Sequence, residues 1–140
     1  MPVYGSWYLT TEAQTQSVTA DTPVAVSANT TAGPLGSCTH ASPGTLTVNE
    51  AGVYEIEAVS TISHDTNNTE IHLEIAIDGV AQTAYEQHRL VSTGGDIGNM
   101  SVMGQFTLAE DAVITILVDA DKTGDVTWEH LVCTLQRVDD

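Results

Sequence analysis

Between residues 52 and 138, apolar and polar side chains alternate in short runs, and the runs are punctuated by glycine, asparagine and aspartate. Tyr54, Ile56, Ala58 and Ile62 share one side of an extended segment. Ile71, Leu73, Ile75 and Ile77 share one side of the next, leaving His72, Glu74 and Asp78 opposite. A period of two predicts strands with one face turned to a core, and no stretch carries the 3.6-residue period of a helix. Asp78-Gly79, between IHLEIAI and VAQTAY, predicts a two-residue hairpin, because both central positions of a type I′ turn need positive φ. Met100, Val102, Phe106 and Leu108 then alternate with Ser101, Gln105 and Thr107 in a further strand. The run AVITIL that follows is apolar on both faces, and a strand buried on both faces needs cover on each side. In a two-sheet sandwich a second copy of the chain would supply that cover. Residues 112–118 are therefore the candidate subunit interface, with Val113, Thr115 and Leu117 as its contacts; cover by a loop of the same chain is the alternative.

The first part of the chain is less regular. Short strands are predicted over residues 4–9, 16–19 and 24–27, with Pro23 at a strand start, where its missing N–H does least harm. The segment TTAGPLGSCTHASPG, residues 30–44, reads as a loop, since Gly33-Pro34, Gly36 and Pro43-Gly44 are turn formers. No internal repeat or heptad appears, so no fibrous shaft is expected. The expectation is one all-β domain over residues 1–140, a two-sheet antiparallel sandwich in which residues 1–29 form an irregular arm.

Composition narrows the partners. Nineteen acidic residues face three basic ones, a formal net charge of −16, and only Arg89, Lys122 and Arg137 could meet a phosphate. Nucleic acid is repelled by such a surface. No apolar run approaches the roughly 20 residues that span a bilayer, and the start MPVYGSWYLTTEAQT has neither a basic nor an apolar leader region, so a soluble chain without a membrane partner or export signal is expected. Polar positions filled by Thr, Ser, Asn, Asp and Glu, with a single Lys, suit a host rich in salt, which screens self-repulsion; an ordinary acidic surface is the alternative. Cys38 and Cys133 lie far apart, one in the loop-like stretch and one in the final strand, and read as two buried thiols.

The order of motifs resembles a known family. Gly52-Val53-Tyr54, the IHLEIAIDGV hairpin and SVMGQFTLAEDAVITILV resemble landmarks of the C1q and tumour-necrosis-factor-like jelly roll over about two thirds of the chain. Ala109-Glu110-Asp111-Ala112 stands where that family has a Gly-Asp turn, and Asp78 where it has Asn. YGSWYLT, TPVAV, TTAGPLGSCTH and RLVSTGGDIGNMSV together resemble the YGxMY, TPVKV, FTHS and R-x-VSTGxDVGxxS patterns of head-fibre and decoration proteins of tailed viruses, over nearly the whole chain. The resemblance implies a jelly-roll homotrimer packed around a three-fold axis and displayed on a virion.

Reactive constellations are sparse. Asp119, Asp121 and Asp125 around Gly124 have the look of a calcium loop, but His130 holds the twelfth position and a strand follows, so a polar hairpin is the simpler reading. The histidines, His40, His64, His72, His88 and His130, show no zinc-finger or helical pairing. His72 and His130 fall on strand faces, where subunit contacts are possible; near a three-fold axis, protonation would gather three like charges. Glu55 and Glu57 lie ~7 Å apart on one strand face, a spacing met in glycosidases and far more often on solvated sheets. There is no G-x-S-x-G elbow. No enzyme and no cofactor are expected. Trp7, Tyr8 and Trp128 either pack the core where first and last strands meet or anchor an interface. The loop STGGDIGN, with Gly94, Gly95 and Asp96, reads as a flexible contact loop rather than a phosphate cradle, since no helix follows it. Asn29, Asn67 and Asn99 lie in N-x-Ser/Thr triplets without an accompanying export signal.

These readings lead to one expectation and one alternative. The first is a capsid decoration protein, made in the host cytoplasm and fixed on the outer capsid surface, where a trimer clamps subunits of the major capsid protein through its N-terminal arm, including Tyr4, Trp7 and Tyr8. The second is a receptor-binding head of a fibre that presents residues 92–99 and 119–125 to a cell-surface glycan or protein.

Overall fold

The computed structural model describes residues 2–139. Along the chain run β1 (Tyr4–Leu9), β2 (Gln14–Val18), β3 (Val24–Ala25), β4 (Thr30–Ala32), β5 (Cys38–Ala41), β6 (Thr45–Val48), β7 (Gly52–His64), β8 (Thr69–Ile77), β9 (Val80–Ala81), β10 (Gln87–Val91), β11 (Gly98–Leu108), β12 (Val113–Ala120) and β13 (Gly124–Arg137). The only helical element among the described residues is a single 3-10 turn, Thr83–Tyr85, whose Tyr85 ring meets the edge of Phe106 at 4.8 Å. No helix is long and apolar enough to cross a membrane.

Two antiparallel sheets stack face to face as a jelly-roll sandwich. The six-stranded sheet has the order β11-β7-β13-β1-β4, with β2 also paired to β13; the seven-stranded sheet has the order β10-β8-β12-β6-β5, with β3 on β12 and β9 on β8. The alternation read in the sequence is what builds the core. Tyr54, Ile56, Ala58 and Ile62 from β7 meet Ile71, Leu73 and Ile75 from β8 and Ile114, Ile116 and Val118 from β12, all buried. Ile77 packs half-buried against them.

The two-residue hairpin forms as expected: Ile77 pairs with Val80, and Asp78 and Gly79 take φ of 51° and 80°. In β13 the register against β7 shifts between Trp128 and His130. A bulge of this kind adds a residue to one strand, and here it lets both Trp128 and Leu131 face the core.

Residues 30–44 depart from expectation. The loop-like stretch contains β4 and β5, and Cys38 opens β5 rather than sitting in a loop. Strands of three and four residues beside Gly33-Pro34 and Pro43-Gly44 leave no period to read; Thr31 pairs with Tyr8, distant in sequence, and Thr39 with Thr47 across the short turn to β6. The second strand spans Gln14–Val18 instead of residues 16–19, and the third is only Val24–Ala25.

Candidate functional site

The long strands of the six-stranded sheet turn their even or odd sets outward, and those outward sets are mostly hydroxyl and carboxylate: Glu55, Glu57 and Thr61 on β7, Ser101, Gln105 and Thr107 on β11, Thr134 and Gln136 on β13. Against this background Tyr4 and four further large apolar side chains stand open to solvent. Tyr8 is 47% exposed, Val132 42%, Val59 45% and Met103 55%. They are not scattered. Tyr8 lies directly opposite Val132, Val132 opposite Val59, and Val59 opposite Ser101, two residues from Met103. Tyr8, Val132 and Val59 are directly opposed, and Met103, opposite Glu57, stands one diagonal step from Val59, within reach of its long side chain, so the four make an apolar stripe across β1, β13, β7 and β11. Isolated apolar residues on a surface need no explanation, whereas a contiguous patch rimmed by polar groups marks an interaction surface.

Beside the stripe lies a cleft of about 290 Å³ lined by Tyr4, Ser6, Pro34, Glu55, Glu57 and Gln136 among others. Its lining residues Ser6, Thr134 and Glu57 lie two positions along their strands from Tyr8, Val132 and Val59. The two glutamates line this cleft, with Thr134 opposite Glu57 and Gln136 opposite Glu55 on β13.

No family model and no curated protein matches the chain in sequence. Solved structures do match in shape. Eiger TNF from S. frugiperda aligns over 99% of this chain and 94% of its own, with a TM-score of 0.64 and 15% identity. Murine APRIL at pH 5.0 aligns over 96% of this chain and 99% of its own, with a TM-score of 0.63 and 12% identity. The likeness is one of fold. It agrees with the tumour-necrosis-factor-like jelly roll that the sequence motifs imply.

The residues singled out in the sequence separate into three places. Tyr4 and Tyr8 lie on the open face just described. Trp7 and Trp128 are 1% and 0% exposed, so their side chains offer nothing to a partner; this corrects the interface role considered for both and leaves core packing. Their alternation with Tyr8 and Thr127 turns them inward, and Trp128 donates its indole N–H to Gln16. Val113, Thr115 and Leu117 lie on the outer face of the seven-stranded sheet, half-buried within the single chain, and His72 shares that face. The most exposed apolar side chains of this sheet are Val80 on β9 and Leu90 on the edge strand β10.

Gly94, Gly95 and Asp96 sit in the loop between β10 and β11 at one end of the sandwich. The loop is pinned rather than free. Gly94 N donates to Asn67 Oδ1 at 2.7 Å, Gly95 N to the His64 carbonyl at 2.8 Å, and a Cβ on Gly94 would come within 2.3 Å of the Asp65 carbonyl oxygen. Asp96 and the neighbouring Ile97 remain exposed.

The remaining candidates also find their places. Asp119 pairs with His72, Asp121 accepts the Glu70 N–H, and Asp125 accepts from Ser17, so these carboxylates serve three separate contacts. Cys38 and Cys133 are buried thiols. Burial pushes the Cys133 thiol up to about 12 and raises that of Cys38. Val59, Met103 and Val132 are the functional candidates that sequence reasoning missed. A signal was present: the outward set Glu55, Glu57, Val59, Thr61 contains one apolar residue among polar ones.

Proposed function

We propose that the protein is a non-enzymatic, homotrimeric capsid decoration protein that sits on the outer surface of a viral head and clamps adjacent copies of the major capsid protein. The outer face of the six-stranded sheet is the surface buried between its three copies. The observation that carries the reading is the stripe formed by Tyr8, Val132, Val59 and Met103, a contiguous apolar surface on an otherwise polar sheet. The motif order shared with head-fibre and decoration proteins supports the virion assignment and implies a trimer. Clamping follows from mass action, because a ligand that binds only the assembled shell stabilises it, and three linked contacts give avidity that one lacks.

The test is to add purified protein to undecorated capsids and image the particles. Density for three copies at local three-fold positions is the expected result. Particles that remain bare would remove the decoration reading. The exposed Ile97 beside Asp96 at one end of the sandwich favours a second reading, recognition of a cell-surface receptor by that loop end; binding of the purified protein to host cells, with no binding to capsids, is its signature.

A further inference from the structure

On the outer face of the seven-stranded sheet, His72 of β8 has direct cross-strand partners on both sides, Asp119 of β12 and His88 of β10. The two imidazoles stack with centroids 4.0 Å apart and planes 17° apart. Glu70, two residues before His72 and therefore on the same face, places Oε1 at 2.7 Å from His72 Nε2 and 3.2 Å from His88 Nδ1. The opposite nitrogens have partners of their own: His72 Nδ1 lies 2.8 Å from Asp119 Oδ1, and His88 Nε2 is hydrogen-bonded to Glu86.

We propose that Glu70, His72 and His88 form a binding site for a divalent transition-metal ion of the zinc class. One donor atom from each lies within 4.8 Å of the others. A tetrahedral zinc ion with bonds of about 2.0–2.2 Å holds its ligand atoms roughly 3.3–3.6 Å apart, so small side-chain rotations of the three residues open the required space. Two of the three donors are imidazole nitrogen, which selects zinc-like ions over calcium or magnesium. The carboxylates behind the rings complete the pattern. An imidazole that binds metal through one nitrogen donates its other N–H to a carboxylate, which fixes its orientation and raises its basicity. Asp119 stands in that position for His72, and Glu86 for His88.

Charge gives a second, independent reason. Glu70, Glu74, Glu86 and Asp119 converge on this patch, while the cationic heads are occupied elsewhere: Arg89 on the Ile62 and Asp96 carbonyls, Lys122 on the Asn67 and Asn68 carbonyls, Arg137 on Glu50 and Asp139. A bound cation offsets the mutual repulsion of these carboxylates. It also fastens β10, the edge strand of its sheet, to β8.

The experiment uses the full chain stripped of metal. Titration with ZnCl2 followed by calorimetry is expected to show uptake of one ion per chain, and CoCl2 to produce the visible bands of a Co(II) ion held by nitrogen and oxygen. His88→Gln and Glu70→Gln alter partly exposed side chains and should lower zinc affinity by at least about tenfold, with the melting temperature of the metal-free protein little changed. Glu86→Gln leaves all three ligands in place and should still weaken binding by about 10–100-fold. His130→Gln, on the other sheet, should bind as the parent does. Failure to take up zinc at neutral pH, undiminished affinity in His88→Gln, or equal affinity for calcium would each overturn the proposal.

Discussion

Trp128 and Gln16 are joined inside the sandwich: the indole N–H donates to Gln16 Oε1 at 3.1 Å, with Trp128 fully buried and Gln16 only 8% exposed. The same amide donates to the Ala25 carbonyl at 2.7 Å and accepts from the Ser27 N–H at 3.1 Å. One polar side chain on β2 therefore ties the last strand to the segment around β3, whose ladder contact with β12 is only two residues long. Gln16→Ala leaves a buried indole N–H and two backbone groups unpaired, at a cost of about 1–3 kcal/mol for each group that water cannot reach. A loss of roughly 2–4 kcal/mol in urea unfolding is expected. Thr15→Ala, at the exposed neighbouring position, should change stability by less than about 0.5 kcal/mol.

Val59 stands at the centre of the apolar stripe, flanked by Val132. Val59→Asp should convert the proposed trimer to single chains in sedimentation, because a carboxylate buried between copies without a partner is strongly unfavourable. Folding of the separated chain should be almost unaffected, since the side chain is exposed there. Val80→Asp, 64% exposed in the hairpin after Asp78-Gly79, is the control and should leave the mass unchanged. An unaltered mass in both variants places the subunit contact elsewhere.

Acid should weaken the protein partly through Asp65. Its Oδ1 accepts the Asp125 N–H at 3.1 Å and the Thr66 hydroxyl at 3.0 Å, and the backbone hydrogen bond is the main reason its carboxyl is held below the usual 3.8. A depressed folded value means that this stabilisation is present above the unfolded value of about 4 and is lost as pH falls through the folded one. Asp65→Asn should therefore show a shallower fall in melting temperature below about pH 4 than the parent does. An identical acid limb in the two proteins would remove Asp65 from the account.

Salt should stabilise the fold. With 19 acidic and three basic residues the surface repels itself, and the Debye length shrinks from about 10 Å at 0.1 M salt to about 3 Å at 1 M. The melting midpoint, measured in NaCl with a chelator present, is expected to rise over this range. A falling midpoint would mean that attractive pairs such as Arg137 with Glu50 and Asp139 outweigh the general repulsion.

The sequence made the regular half of the fold legible. In β7 and β8 the inward positions Tyr54, Ile56, Ile71 and Leu73 are separated by polar ones, and a strict period of two determines both element type and face. Asp78-Gly79 was readable because positive φ at both turn positions restricts residue choice so strongly. β4 was not readable, since Thr31 is ordered by pairing with Tyr8, a distant partner that leaves no local signature, and β5, though it pairs with the neighbouring β6, is only four residues long and shows no period.

The candidate sites divide in the same way. Val113, Thr115 and Leu117 share the outer face of β12 and are half-buried in the single chain. His72 and His88 meet only because the Thr83–Tyr85 turn interrupts the ladder between β9 and β10 and offsets the register, which no hairpin rule anticipates. Trp7 and Trp128 could be core or contact on sequence grounds alone, and the face of the strand on which each falls decided for core.

The pairing of β1 with β13 carries a practical corollary. Tyr4 lies across from Gln136, and the Arg137 N–H donates to the Val3 carbonyl at 2.9 Å, so the polypeptide enters and leaves the sandwich at one corner. A short linker could join the two ends there and a new opening be cut at the Asp78-Gly79 hairpin, giving a permuted chain with every ladder intact. Peptides grafted to either end would emerge side by side, a useful geometry for multivalent display.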